Sequence, residues 1–136
     1  MDRLVLLGKI PLFAGISTEQ LLAVSEIAED VEFSSGEEVF RKGSMGQHLY
    51  VLVKGEVKVL SGDLHLATLK AGECFGELAL LDHSTRTATI RALGPITCLK
   101  LARTDFEDLL DVSPDLSRAV MHVLSQRLRD CLRSEN

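Results

Sequence analysis

The spacing of apolar residues changes twice along the chain, and the changes divide it into three stretches. In the first, an apolar run from Leu4 to Ile16 is interrupted by Lys9 and Pro11, which suits a packing arm or helix. The run is too short to span a bilayer, and no small-residue cleavage site follows it as in a signal peptide. Ser17, with Gln20 at the third helical position, predicts a capping box opening a helix whose Leu21, Val24 and Ala28 share one face. From Val31 the period moves towards two, and glycines at 36, 43, 46, 55, 62 and 72 punctuate short apolar runs. Strands are expected at Val39–Phe40, Leu49–Val53, Val57–Leu60, Leu64–Leu69, Thr87–Ala92 and Ile96–Leu101, with a hairpin turn at Ser61-Gly62-Asp63. This is the signature of an all-β sandwich or barrel.

The helical period then returns. Thr104 and Glu107 predict a second capping box before Phe106, Leu109 and Leu110. Ser113-Pro114 supplies an N-cap and a first-turn proline for a longer helix. Along that helix Leu116, Val120, Leu124, Leu128 and Leu132 form a stripe, widened by Val123 and Cys131. The expected architecture is mainly β with flanking helices: an arm and helix over 1–29, a β-roll over 30–103 and helices over 104–136. A length of 136 residues at 46% hydrophobic composition fits one compact domain with a single core.

Charge and cysteines narrow the class. A formal net charge of −5 gives no general footprint for nucleic acid. Arg118, Arg127, Arg129 and Arg133 make the long helix locally basic, which a solvated face paired with Asp115 and Asp130 explains. Cys74, Cys98 and Cys131 are odd in number, widely spaced and without a CxxC pair, so neither a disulfide framework nor a zinc ribbon is expected. A reducing cytosol fits them.

The stretch Phe75 to Ile90, FGELALLDHSTRTATI, carries the chemistry. Gly76 permits close approach of backbone to a ligand, and Glu77 to Leu81 suit one short helical turn. The first amides of such a turn are free donors for a phosphate, and Arg86 adds a charged, forked donor. Glu77 beside a phosphate is repulsive unless it is aimed elsewhere, and a sugar hydroxyl is its natural partner. The stretch therefore asks for an anionic, ribose-bearing ligand.

With Phe75 to Leu80 followed by Arg86-Thr87-Ala88-Thr89-Ile90, the stretch resembles the phosphate-binding cassette of cyclic nucleotide-binding domains. Gly36, Val39, Gly43, Gly46, Tyr50, Val53, Gly55 and Val57 also match that family, so the resemblance covers most of residues 10 to 112. One departure is Thr85, where the family usually has proline, which removes a fixed φ before Arg86. The resemblance implies an antiparallel β jelly-roll or barrel with an N-terminal helix, a short phosphate-binding helix and C-terminal helices. It implies that Arg86 meets the cyclic phosphate and Glu77 the ribose 2′-hydroxyl. Gly76, Leu78 and Ala79 would contribute backbone amides, and Ala88 would be small where backbone nears phosphate. Thr87 stands where the family carries threonine when guanine is accepted and alanine when adenine is selected. Val53, Leu64, Phe75 and Leu78 are candidate walls for the base, with Val120 and Leu124 closing it from the long helix.

The plainer readings stay beside these. Arg86 in a surface ion pair with Asp82 or Glu77, Glu77 as a dipole-complementing residue, and Thr87 or Ala88 as ordinary strand residues would each explain one position. The function implied is a regulatory module, not an enzyme, that binds cyclic AMP or cyclic GMP without a cofactor and passes occupancy to its flanking helices in the cytoplasm. The apolar stripe serves a lid and a homodimer seam equally well, and no membrane segment or direct nucleic-acid contact is expected. A cupin-type metalloenzyme is disfavoured because His48, His65, His83 and His122 are scattered. The sensor part of a larger transcription regulator, channel, transporter or kinase requires a longer protein, since no room for a DNA-reading motif follows the long helix before Asn136. A ligand-free structural domain of the same fold is disfavoured by Gly76, Glu77 and Arg86. Calorimetric titration of Thr87→Ala is expected to show cyclic GMP weakened more than cyclic AMP, and a uniform effect would remove the selectivity role.

Overall fold

Strand β3 (His48–Lys54) lies at the centre of one of two four-stranded antiparallel sheets, and Leu49, Tyr50, Val51 and Leu52 are all buried along it. A run buried on both faces reads as continuous rather than alternating hydrophobicity. The computed structural model describes residues 3–10, 13–14, 16–76 and 85–135, with some side chains of the last helix excepted. The chain divides into two compact units, residues 27–106 and the terminal segments 1–26 with 107–136.

The larger unit is the β-roll. One sheet joins β1 (Glu29–Phe33), β8 (Ile96–Ala102), β3 and β6 (Cys74–Phe75) in that order. The other joins β2 (Glu38–Phe40), β7 (Thr89–Ala92), β4 (Glu56–Ser61) and β5 (Leu64–Lys70). The inward residues of both sheets form one core: Tyr50, Leu52, Phe75, Ile96 and Cys98 from the first, and Val57, Ile90 and Ala92 from the second. Register enforces this, because Leu52 stands opposite Cys98 while Val57 stands opposite both Leu69 and Ala92. Shifting the pairing of β4 with β7 by one residue would turn Val57, Ile90 and Ala92 outward. β4 and β5 close as a hairpin with Ser61 paired to Leu64, as the turn residues predict.

Two boundaries differ from the sequence expectation. β7 begins at Thr89, so Thr87 and Ala88 form a bend before it. The Thr89 hydroxyl accepts the Lys42 backbone N–H at 3.0 Å, and Arg86 makes backbone bonds to the loop after β2, which sets the entry to the strand. α3 (Arg103–Val112) begins directly on the end of β8, so Thr104 lies inside its first turn rather than at the N-cap. There the Arg103 backbone N–H donates to the Gln47 carbonyl at 2.8 Å, a partner outside the helix for one of its first amides. The short strands β1 and β6 were not among the expected set, and the expected helical turn at 77–81 lies outside the described residues.

In the terminal unit, α1 (Arg3–Lys9) and α2 (Thr18–Ile27) are joined by the Arg3 guanidinium, which donates to the Ser25 carbonyl at 2.9 Å. The predicted capping box is formed: the Gln20 N–H donates to Ser17 Oγ at 3.1 Å and the Ser17 N–H to Gln20 Oε1 at 3.0 Å. α4 (Pro114–Glu135) starts as read, with Ser113 Oγ accepting the Leu116 N–H at 3.3 Å. The Gln20 amide also donates to Ser113 Oγ at 3.3 Å, so one side chain links the caps of α2 and α4. Leu116 and Val120 of the predicted stripe are buried, Leu132 is exposed, and Val123, Leu124, Leu128 and Cys131 have side chains outside those described.

Gly55, between β3 and β4, has φ +94, and a Cβ built there falls 2.7 Å from Ile96 Cγ2 and 2.8 Å from the Pro95 carbonyl oxygen. Gly55→Ala combines positive-φ strain with backbone overpacking and is expected to destabilise the β-roll by about 3 kcal/mol. A chemical-denaturation midpoint equal to wild type would contradict that close approach.

Candidate functional site

Arg86 is a polar side chain buried in the β-roll, with only 8% of its surface exposed. Its backbone is fixed first. The Arg86 N–H donates to the Ser44 carbonyl at 2.7 Å, and the Gly43 N–H donates to the Arg86 carbonyl at 2.8 Å. Thr85 forms an isolated antiparallel bridge with Met45. This pairing to the β2–β3 loop supplies a constraint where the family's usual proline is missing, so Thr85 does not leave Arg86 unanchored.

The guanidinium is then held by three different groups. Nη2 donates to the His48 carbonyl at 2.7 Å, Nη1 donates to the Gly76 carbonyl at 3.2 Å, and the plane lies over the Phe40 ring with Cζ 3.9 Å from its centroid. Phe40 in turn packs on Tyr50 and Phe75, whose rings stack at 5.4 Å and 12°. Nε has no hydrogen-bond partner among the described residues. A guanidinium has five N–H donors, and only two are used here. Among the described residues the other three have no partner.

The electrostatics follow from burial. Desolvation lowers the Arg86 pKa, and the Tyr50 phenol acts weakly in the opposite direction. Arginine stays cationic despite such a shift. Burial likewise raises the Tyr50 pKa, while burial and then the cations Lys100 and Arg86 lower that of His48, with Glu29 opposing. At neutral pH the imidazole is therefore mainly neutral, and Arg86 carries the positive charge facing the aromatic cluster.

Gly76 is shaped by the same arrangement. Its φ is +81, and a Cβ there would fall 2.6 Å from Arg86 Nη1 and 3.0 Å from the His48 carbonyl oxygen. Gly76 and Arg86, read from sequence as partners in one site, are in direct contact. Thr87 is exposed and Ala88 half-buried, both in the bend before β7, so strand propensity does not account for Thr87. Glu77, Leu78 and Ala79 lie outside the described residues, as do Asp82 and His83. Arg86 is buried rather than at the surface, and Asp82 and Glu77, its alternative ion-pair partners, lie outside the described residues. Of the candidate walls, Phe75 and Val120 are buried and Val53 is half-buried, whereas Leu64 is 63% exposed at the start of β5. Sequence reasoning did not single out Phe40, Tyr50 or the His48 carbonyl as parts of the site, because their roles depend on cross-strand pairing. Among the described residues no three His, Cys, Asp or Glu side chains gather as metal ligands, and no helix is long and apolar enough to cross a membrane.

A family model for the cyclic nucleotide-binding domain matches residues 30–113. The chain is 33% identical over 115 residues to a cAMP-dependent protein kinase regulatory subunit of Blastocladiella emersonii, covering 81% of this chain and 28% of that protein. It is 26% identical over 129 residues to a CRP-like cAMP-activated global transcriptional regulator of Mycobacterium tuberculosis, covering 91% of this chain and 58% of that protein. The chain thus spans less than two thirds of the length of these curated relatives. A crystal structure of the N-terminal domain of a transcriptional regulator from Streptomyces coelicolor A3(2) matches with a TM-score of 0.87 at 32% identity, covering 96% of this chain and 95% of that one.

The contact between Gly76 and Arg86 is open to a double-mutant cycle on stability. Gly76→Ala is expected to cost about 2 kcal/mol in the wild-type background, from positive φ together with the collision. In an Arg86→Gln background the collision with the guanidinium is relieved and the cost falls by about 1 kcal/mol, leaving the backbone strain and the close approach to the His48 carbonyl. Strict additivity by urea denaturation would show that Gly76 does not set the position of the guanidinium.

Proposed function

We propose, because the chain belongs to the cyclic nucleotide-binding domain family, that it is a regulatory module binding cyclic AMP or cyclic GMP through Arg86. The observation that carries the reading is the buried guanidinium with unused donors. A charge withdrawn from water over an aromatic ring, held only by neutral carbonyls among the described residues, is matched by a singly charged phosphodiester. The cyclic phosphate offers charged oxygens to that fork, and no cofactor or catalytic step is needed. Glu77 would take the ribose 2′-hydroxyl. Gly76, Leu78, Ala79 and Ala88 would bring backbone close to ribose and phosphate, and Thr87, exposed beside Arg86, would reach the purine.

Binding acts as a signal when the ligand prefers one arrangement of the flanking helices over another, each tenfold preference being worth about 1.4 kcal/mol. Residues 1–136 would work as one regulatory domain in which α2, α3 and α4 carry the response to an effector or to a second copy met along α4. The effectors named for the relatives, a kinase and a transcription regulator, differ, so the shared element is the sensor. A cytoplasmic setting agrees with the odd number and wide spacing of the cysteines.

Isothermal titration with both nucleotides checks the reading. Removing one partner of a desolvated charge pair costs on the order of 3–5 kcal/mol, so Arg86→Leu is expected to weaken binding at least about a hundredfold. Failure of the wild-type chain to bind either nucleotide below millimolar concentration would overturn the function, and unchanged binding by Arg86→Leu would remove the phosphate role.

A further inference from the structure

We infer that Phe40 is a positioning residue for the anion site, and that the β-bulge at Val39 aims its ring beneath the Arg86 guanidinium. The inference rests on the proposed binding role of Arg86 and goes beyond it to the residue that holds the charge in place.

The register of β2 carries the argument. Glu38 stands opposite Arg91 and Phe40 opposite Ile90, so two steps along β2 match one step along β7, and Val39 is the extra residue. In a regular ladder Phe40 would stand opposite Thr89 and share the outer face with Glu38. That face is polar: Glu38 meets the Arg41 Nε at 2.6 Å and lies 3.7 Å from Arg91. The bulge instead brings Phe40 level with Ile90, an inward core residue, and into contact with Tyr50 and Phe75. Bulges re-aim side chains in this way and recur beside functional sites. The re-aimed ring is the one over which Arg86 lies, at 3.9 Å.

An aromatic floor has a property that a carboxylate lacks. It attracts the guanidinium through its quadrupole, more strongly where water is excluded, yet neither neutralises the charge nor consumes an N–H donor. An acidic residue in the same place would form an ion pair and compete with an incoming phosphate. The ring and the two carbonyls together fix the guanidinium while, among the described residues, leaving three of its donors without a partner. Ordering that side chain in advance lowers what binding must otherwise spend on immobilising it.

The test uses the whole chain with Phe40→Leu and Phe40→Tyr, titrated calorimetrically with cyclic AMP and cyclic GMP. The Arg86 Nε–H resonance is followed by NMR in each protein without ligand. Phe40→Leu is expected to weaken both nucleotides roughly tenfold and to remove the ring-current displacement of the Arg86 signal. Phe40→Tyr, which keeps the π face, is expected to retain near wild-type affinity and the displaced signal. A general packing defect would instead weaken binding in both variants alike, and that pattern overturns the inference. Wild-type affinity in a folded Phe40→Leu also overturns it, with the role of Arg86 intact. If the wild-type chain binds neither nucleotide, the proposed function itself has failed, a result seen before any Phe40 variant is compared. Should Phe40→Leu not fold, Phe40→Tyr and its Arg86 resonance decide, because loss of the displaced signal there contradicts a ring-held guanidinium.

Discussion

A guanidinium removed from water must be compensated, and the described half of this site is arranged around that requirement. Arg86 is almost fully buried, and a buried charge without partners would cost several kcal/mol. The chain answers with two backbone carbonyls and an aromatic face, none of which carries a charge of its own. Among the described residues the compensation comes from dipoles and a quadrupole alone and is partial. A carboxylate in contact would stabilise the folded chain more and leave less attraction for a ligand. Nε, without a hydrogen-bond partner among the described residues, is the visible remainder of that incomplete compensation.

The requirement spreads outward through particular atoms. The Gly76 carbonyl can reach Nη1 only because the residue adopts φ +81 and has no Cβ. The His48 carbonyl is available because it lies at the start of β3, where the ladder with β8 begins at the pairing of His48 with Ala102. The backbone of Arg86 is tied on both its N–H and its carbonyl to the β2–β3 loop, so the side chain leaves from a fixed point. That tie also explains how threonine is accommodated at 85, since interstrand hydrogen bonds do the orienting that a pyrrolidine ring would otherwise do.

Much of this fold was legible in the sequence, and the illegible parts have a common cause. The caps at Ser17, Gln20 and Ser113, the hairpin at Gly62-Asp63 and the central strands depend on residues close together in the chain, so local rules reach them. The two-residue strand β6, the start of β7 and the start of α3 depend on partners far away: Tyr50 and Val51, the β2–β3 loop, and Gln47. The site divides the same way. Gly76 and Arg86 stand out as candidates because their types and spacing carry chemistry, whereas Phe40 reads as an ordinary strand residue. Nothing in the order Val39-Phe40 announces a bulge, which exists only in the pairing with β7.

The geometry also bears on how a sensor of this kind responds. Gly76 and Arg86 are ten residues apart, and the hydrogen bond between them joins the two ends of the intervening segment. Closing a loop of that size has an entropic cost that one hydrogen bond of ordinary strength only partly offsets. An anion has two ways to use Arg86. If it takes the donors left unused among the described residues, the closure is retained and reinforced, since the guanidinium becomes more firmly fixed. If it draws Nη1 away from the Gly76 carbonyl, the closure is lost and that carbonyl needs a new donor. The first route requires no rearrangement of Arg86 and leaves every described polar contact satisfied, so it is the favoured one.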